Sequence, residues 1–339
     1  MIYINYKGAI DQNRQKMDKN LRDILVPLDF REPSLNALKY AINLAKRFNG
    51  KIHLLHVLEM GGFLADLFLS VDEVVKVTDK AKNSLNKIAE EIIVPEGLEV
   101  ATRIERGRPH EKILAVAHEL HPRMVVMGEN HQGTDSEQVL GVTVEQVTLN
   151  CEVPVITTKG TYDDLGGLML VPLDLTKKTG RQISSAVLYA KHYNLRVRLV
   201  SAIIGGVSAR ESRIYKKLKK AKETFEKNGI ECGVKLFPRS ETPPYQRVLE
   251  YAGQIDATII LVMTHQEGYT YDNYIGAFAH HIINESRIPV LSLTSSASTF
   301  DYEEVLRDFL DPLSIMERDP LKPQKGSRFS LRKSSPKNE

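Results

Sequence analysis

Short aliphatic runs recur along the chain and alternate with longer segments in which apolar residues return every three or four positions. Such runs predict strands buried on both faces of a parallel sheet, and the longer segments predict amphipathic helices that cross between them. The predicted strands are Ile24–Val26, Ile52–Leu58, Glu99–Ile104, Met124–Met127, Val153–Thr157, Leu168–Val171, Arg196–Ala202, Glu231–Phe237, Thr258–Met263 and Pro289–Leu293. The pattern therefore predicts an α/β fold of two tandem doubly wound domains, each a five-stranded parallel sheet flanked by helices.

A five-residue stretch occurs twice and marks a repeated domain. Leu25–Asp29 returns letter for letter as Leu170–Asp174, 145 positions later, and the offset falls to 135 between Pro154 and Pro289. The length of 339 residues also exceeds what one core usually fills. We predict an N-terminal extension, a first domain, a second and degenerate domain, and a C-terminal helix with a disordered basic tail, at residues 1–20, 21–160, 161–296 and 297–339.

Each copy of the repeat ends on a carboxylate, and Pro27 and Pro172 stand where each first strand should leave the sheet. In open parallel sheets, ligands bind beyond the carboxyl ends of the strands where the winding reverses. Asp29 and Asp174 are therefore candidate crevice residues. The alternative interpretation is that each carboxylate caps the following helix, because Asp is a preferred cap.

Composition excludes several classes of protein. No window is apolar enough to span a bilayer, and residues 1–20 lack the apolar core of a signal peptide, so we expect a cytoplasmic protein, whose start codon is either Met1 or Met17. The two cysteines fall at unmatched positions, which indicates reduced thiols and no metal site. A net charge of +3 makes nucleic acid an improbable partner.

Two further segments bear on packing and partners. The spacing predicts a helix over 72–93 with Val75, Ala81, Leu85, Ile88 and Ile92 facing inward. The lysine-rich helix after residue 210 carries an apolar stripe as well, which favours a solvated basic face over a nucleic-acid surface. No nucleophile elbow, Walker sequence or redox cysteine pair occurs, so the sequence predicts no catalytic residues.

Several motifs together resemble the universal stress protein family, in its tandem two-domain form, over Asp23–Thr294. They are the opening at 24–29, Gly107–Pro109, Val125–Gly128, Val153–Val155 and Ile288–Val290. The resemblance implies a Rossmann-like fold of the adenine nucleotide alpha hydrolase type. Family members often pair through their last strands, so we expect an intramolecular pseudo-dimer in which Val155–Thr157 lies against Val290–Leu293.

The resemblance also implies a nucleotide site in the first domain. Nucleotide-binding members carry three glycines and a hydroxyl residue after the fourth strand, and Gly128 and Gly141 match the first and third glycines. His131 replaces the second glycine and Val142 the hydroxyl residue, so the motif is degenerate. Asp29 matches the family's acid beside the nucleotide and Val57 its apolar position against adenine, which makes ATP or AMP the candidate cofactor.

The second domain departs further from the family pattern. Thr264 is predicted to replace the first glycine, and Tyr269, Tyr271 and Tyr274 occupy the phosphate loop. We expect no ATP binding beside Asp174. The predicted function is a non-catalytic stress-response or regulatory role through a small ligand or an unidentified protein partner, with homodimerisation as a further expectation. Alternatives are ATP binding by the first domain and weak ATP hydrolysis.

Overall fold

The computed structural model describes residues 22–59, 71–129, 141–162, 166–175, 179–202, 213–264 and 276–294. The predicted N-terminal extension and C-terminal tail lie outside these ranges, as do His131 and the three tyrosines predicted in the second phosphate loop. Within the described ranges, no helix is both long and apolar enough to cross a bilayer.

Strands and helices alternate within each half, and no helix among the described elements lies between the last strand of the first half and the first strand of the second. A π-helical turn, Ala89–Ile93, and a 3₁₀ turn, Val94–Glu96, follow the second helix. The elements are β1 Ile24–Pro27, α1 Glu32–Phe48, β2 Ile52–Leu58, α2 Val71–Ile88, β3 Val100–Arg106, α3 Pro109–Leu120, β4 Met124–Gly128, α4 Val142–Asn150, β5 Val155–Thr158, β6 Gly167–Pro172, α5 Gly180–Tyr193, β7 Leu195–Ala202, α6 Arg213–Lys227, β8 Cys232–Phe237, α7 Pro244–Gln254, β9 Ile259–Met263, α8 Ala277–Glu285 and β10 Val290–Leu293.

All ten strands form one sheet in the order β3-β2-β1-β4-β5-β10-β9-β6-β7-β8. The neighbours are parallel except for β5 and β10, which are antiparallel. Helices α1, α2, α5 and α6 cover one face and the other four helices cover the opposite face, each over its own apolar cluster. The predicted α/β fold, with five parallel strands in each half of the sheet, is confirmed.

The repeat in the sequence is also a repeat of helix caps and strand ends in the structure. The C-caps of α1 and α5, Asn49 and Asn194, stand 145 positions apart, and both are in the left-handed backbone region. Strands β1 and β6 end on Pro27 and Pro172, as predicted for residues that cannot donate to the ladder. The first strand–helix–strand unit is therefore the same in both halves.

The prediction for the inward face of α2 is wrong at both ends. Ala81 and Leu85 are buried, but Val75 is 48% exposed and Ile92 is 38% exposed. The π-helical turn explains the second error, because i→i+5 bonding rotates the residues that follow it. Ile93, rather than Ile92, consequently enters the core with no exposed surface.

The two halves meet first through the sheet. Strands β5 and β10 pair with Leu291 opposite Ile156, and Val290 and Ser292 lie opposite Thr157 and Val155. We call this strand pair, together with the side chains that cross between the halves, the joint. The contact joins the two strands that the sequence analysis places against each other.

Two polar contacts cross the joint at equivalent positions. Lys159, just after β5, donates from Nζ to the carbonyl oxygen of Asn284 in the last turn of α8. Thr294, just after β10, donates from Oγ1 to the carbonyl oxygen of Cys151 at the end of α4, at 2.9 Å. Each half thus bonds an orphan carbonyl at the C-terminus of the other half's last helix.

An aromatic cluster fills the joint between α1 and α5. The Tyr193 ring lies edge-on to Phe48 with centroids 5.0 Å apart and stacks on Tyr189 at 5.8 Å. Arg47 donates from Nη1 to the carbonyl oxygen of Tyr193 at 2.9 Å. These contacts bury the Tyr193 side chain almost fully, at 6% exposure.

We expect Tyr193→Ala to lower the free energy of unfolding by about 3 kcal/mol or more, because it leaves a cavity where Phe48 and Tyr189 meet. Tyr193→Phe keeps the ring and loses the hydroxyl contacts with the Met124 sulfur and with Arg123, so its cost should be smaller, about 1–2 kcal/mol. The chain has no tryptophan, so urea unfolding is followed by circular dichroism. Equal stability of the two variants would contradict a packing role for the ring.

Candidate functional site

Three of the predicted site residues lie at the carboxyl ends of neighbouring strands. Strand β1 is hydrogen-bonded to β2 on one side and to β4 on the other, which is where the winding of the first half reverses. Asp29 follows β1, Val57 is near the end of β2 and Gly128 ends β4. The carboxyl ends of these strands form the crevice at which open α/β sheets bind ligands.

The Asp29 carboxylate contacts the start of α1 and also faces solvent. Its Oδ1 accepts hydrogen bonds from the Arg31 backbone N–H at 3.0 Å and from the Ser34 hydroxyl at 2.6 Å. Its side chain is nevertheless 53% exposed, with Oδ2 3.8 Å from Nε of Arg31. Asp29 is therefore not the N-cap of α1, which is Arg31, but one of its oxygens bonds to the start of the helix. Its role in the crevice stays a prediction.

Gly128 is required by packing, whether or not a ligand binds. A Cβ at this position would lie 2.1 Å from the Pro33 carbonyl oxygen and 2.6 Å from the Ser34 backbone nitrogen. Only a residue without a side chain allows the first turn of α1 to approach β4 so closely. Since Ser34 also bonds to Asp29, this turn connects the ends of β1 and β4.

Gly141 stands in a different environment. It is the N-cap of α4, in extended backbone, and a Cβ added to it would meet no atom within 4 Å among the described residues. Val142 beside it is 68% exposed. Packing among the described residues gives no reason for a glycine here, and the N–H groups of the first helical turn are suited to an anion.

Sequence reasoning missed His56, which precedes Val57 in β2. Its Nδ1 lies 2.7 Å from the Leu28 carbonyl oxygen. Because a carbonyl can only accept, Nδ1 carries the proton in neutral His56 and Nε2 is left as an acceptor. The Phe30 ring packs at 4.5 Å from the imidazole, and its backbone φ of 66° is unusual for an aromatic residue. The position of His56 near the end of a predicted strand could have marked it as a site residue. Nothing in the sequence indicates the positive φ of Phe30.

Val57 is half-buried and packs against the apolar cluster beneath α3 and α4. Its backbone pairs with Glu105 of β3. The side chain thus offers a small apolar surface at the crevice, as the resemblance implies for a residue against a base.

The crevice of the second half is built differently. Asp174 is exposed after β6, at the position equivalent to Asp29. Leu175, which replaces Phe30, is buried, and its carbonyl oxygen accepts a hydrogen bond from Nζ of Lys217 in α6 at 3.0 Å. Ser201 replaces His56 and donates to the Leu173 carbonyl oxygen at 2.7 Å.

The hydrogen-bond register corrects one expectation. The backbone N–H of Thr264 donates to the Leu293 carbonyl oxygen, and that of Glu129 donates to the equivalent carbonyl oxygen of Thr158. Thr264 therefore corresponds to Glu129, and Met263 takes the place of Gly128. In the sequence, Val-Met-Gly at 126–128 resembles Val-Met-Thr at 262–264, which predicts Thr264 at the position of the first glycine. The hydrogen bonds shift this alignment by one residue.

Gly276 begins α8 as Gly141 begins α4. Its N–H donates to the Thr264 carbonyl oxygen at 3.0 Å, which ties the helix start to the end of β9. A Cβ on Gly276 would lie 3.7 Å from the same oxygen, an ordinary contact. Thr264 itself is buried, so this end of the second crevice is occupied by the protein's own backbone.

A buried ion pair involves Glu129, the residue that follows Gly128 in the sequence. The Glu129 side chain is only 1% exposed, and Oε2 lies 3.6 Å from Nζ of Lys159. Burial raises the pKa of Glu129 to about 7, against a lowering effect of Lys159. Burial also lowers the pKa of Lys159, while Glu129 acts in the opposite direction. No sequence motif indicated this pair.

Fold and crevice together define a doubly wound α/β protein of the class whose site lies where the winding reverses. The solved structures agree with that class. A universal stress protein from Archaeoglobus fulgidus superposes with a TM-score of 0.65 at 20% identity, covering 80% of this chain and 98% of that one. A putative universal stress protein from Pseudomonas aeruginosa gives 0.58 at 20% identity, covering 84% and 98%. At this identity the likeness shows the fold.

Sequence comparison finds the same class of protein in the first half of the chain. The model of the universal stress protein family matches residues 20–159. Universal stress protein MJ0531 of Methanocaldococcus jannaschii is 27% identical over 157 residues, which are 45% of this chain and 88% of that protein. Universal stress protein MJ0577 of the same organism is 29% identical over 154 residues, covering 41% and 94%. The first half of the chain, residues 20–159, is therefore similar to universal stress proteins.

The two glycines of the first crevice should respond differently to a methyl group. Gly128→Ala should lower the free energy of unfolding by about 1–3 kcal/mol, because its Cβ would meet the backbone of α1. Gly141→Ala should change it by less than about 1 kcal/mol, since its φ of −61° suits alanine and the space is open. Urea titrations of both variants test this. Similar losses in the two would contradict the packing role assigned to Gly128.

Proposed function

We propose that the protein is a non-catalytic regulatory stress protein whose first half binds an adenine nucleotide, ATP or AMP. The observation that carries this proposal is the difference between the two crevices. Among the described residues, no contact requires a glycine at position 141, whereas in the second half the equivalent helix start is bonded to Thr264, and Lys217 donates to the Leu175 carbonyl oxygen.

The residues of the first crevice suit the parts of a nucleotide. The half-exposed Asp29 carboxylate can accept hydrogen bonds from ribose hydroxyls, and Val57 supplies apolar surface for the base. Backbone N–H groups at Gly141 and in the first turn of α4 can donate to phosphate oxygens. His131, at the family's second glycine, lies outside the described residues, and Gly128 serves by bringing α1 close to β4.

We also propose that residues 21–160 and 161–296 are two domains that form an intramolecular pseudo-dimer. The antiparallel β5–β10 pair and the two reciprocal helix-end hydrogen bonds support this arrangement. In this arrangement Asp174 binds no nucleotide, and the second domain acts chiefly as the pseudo-dimer partner of the first. We place the protein in the cytoplasm, where nucleotide occupancy would change its contacts with a protein partner.

Nucleotide binding is tested by equilibrium dialysis with ATP and AMP on the full chain. Gly141→Val should weaken binding at least about tenfold, because its side chain occupies the space proposed for phosphate. Gly276→Val is the matched control, at the equivalent helix start of the second half, and should leave binding unchanged.

Two outcomes would contradict the proposal. Absence of wild-type binding at millimolar ATP and AMP would exclude the nucleotide, and equal loss in both variants would exclude the first crevice as its site. The dialysed samples are also analysed for ADP and phosphate. Repeated turnover of ATP would show that the non-catalytic assignment is wrong.

A further inference from the structure

Glu129 is a buried carboxylate that receives no hydrogen bond from the described residues. It follows Gly128 directly, yet its side chain turns into the joint rather than toward solvent, with 1% exposure. Neither Oε1 nor Oε2 receives a hydrogen bond within the described part of the chain. A buried charge without hydrogen bonds is costly to the folded state, so this arrangement calls for an explanation.

The cation nearest to Glu129 is held by the other half of the molecule. Lys159 approaches Oε2 at 3.6 Å, beyond hydrogen-bond distance, while its Nζ donates to the Asn284 carbonyl oxygen at the end of α8. A cation at a helix C-terminus is favourable, because the last carbonyls carry partial negative charge. Lys159 therefore forms a hydrogen bond with α8 but only a longer ion-pair contact with Glu129.

The same place in the second half is neutral. The positions equivalent to Glu129 and Lys159 are Thr264 and Thr294, and both hydroxyls donate to backbone carbonyl oxygens, of Leu293 at 3.2 Å and of Cys151 at 2.9 Å. At these two positions the second half carries hydroxyl groups in place of an ionisable pair. The fold does not require an ionisable pair at the other side.

We propose that Glu129 is a proton-binding site in the joint and that uptake of a proton by this carboxyl strengthens the contact between the two halves. A neutral carboxyl removes the charge that lacks donors and adds one O–H donor. The buried hydroxyl of Thr157, two residues before Lys159 and on the same face of β5, also has no hydrogen-bond partner among the described residues and is a candidate acceptor.

The other charged and titratable groups around the site are compatible with this direction. Lys159 keeps its hydrogen bond to Asn284 when Glu129 is neutral, and Glu285 of α8 acts on it electrostatically as a second carboxylate. Tyr162, whose pKa is raised by burial, donates its hydroxyl to the Arg287 carbonyl oxygen at 2.6 Å. Lys159 is therefore not left without an anionic neighbour.

The sign of the pH dependence follows from the raised pKa of Glu129. The group titrates at about 7 in the folded protein against 4.5 for the ordinary carboxyl. Between these values the folded chain binds more protons than the unfolded chain, so this group's contribution to stability falls as the pH rises. Its contribution is largest below 4.5 and has been lost above 7.

The test compares the wild type with two variants at pH 5 and pH 8. Glu129→Gln removes the titration, and the double variant Glu129→Thr/Lys159→Thr copies the hydroxyl pair of the second half, so that at least one folded reference is available. The ratio of the wild-type unfolding equilibrium constant to that of each variant, from urea titrations, should rise about tenfold or more from pH 5 to pH 8. A ratio that does not change with pH would overturn the proposal.

Hydrogen exchange then locates the effect. Relative to the double variant, wild-type amides of β10 and the last turn of α8 should lose protection at pH 8, while those of β3 at the far edge of the sheet should not. An equal loss in β3 would show a general effect on stability and overturn the assignment to the joint. Both experiments use the protein without nucleotide, so their outcome is independent of the proposed ligand.

Discussion

The antiparallel contact between β5 and β10 is the constraint on which the rest of the structure depends. Each strand has only four residues and would otherwise present unpaired backbone groups at the edge of a five-stranded sheet. Pairing them places the end of each strand beside the last helix of the opposite half. The Lys159 and Thr294 hydrogen bonds, and the packing of α1 against α5 around Tyr193, follow from that placement.

The two halves share a backbone plan but differ in how their crevices are filled. In the first half, Gly128 is required by its contact with α1, whereas a Cβ on Gly141 would meet none of the described residues. In the second half Met263 stands in place of the first glycine, and Thr264 is bonded to the helix start. The difference is one of side chains and a single tied helix start, which makes a change of function possible without a change of fold.

The sequence predicted the fold well because its signals are local and repeated. Aliphatic runs fixed the strands, and Pro27 and Pro172 correctly indicated where the first strand of each half ends. The face of α2 could not be predicted at Ile92, since the π-helical turn is not encoded by any simple spacing. Thr264 was misplaced because the letters suggest one register and the hydrogen bonds of β9 with β10 set another.

Only part of the candidate site could be predicted from the sequence. Asp29, Val57 and Gly128 lie at or after the carboxyl ends of three neighbouring strands, β1, β2 and β4. That Gly128 has a packing role, and that Glu129 is buried against Lys159, depends on contacts between residues far apart in the chain. Such contacts leave no spacing signature, so pattern reasoning assigned the glycine to a ligand and passed over the glutamate.

Carrying both halves on one polypeptide has a consequence for evolution. In a dimer of identical subunits, every substitution appears twice, so a charged pair could not stand on one side of the axis and a hydroxyl pair on the other. Here Glu129 and Lys159 face the joint on one side while Thr264 and Thr294 do so on the other. The fused chain can hold such an asymmetry at fixed stoichiometry, and its assembly does not depend on protein concentration.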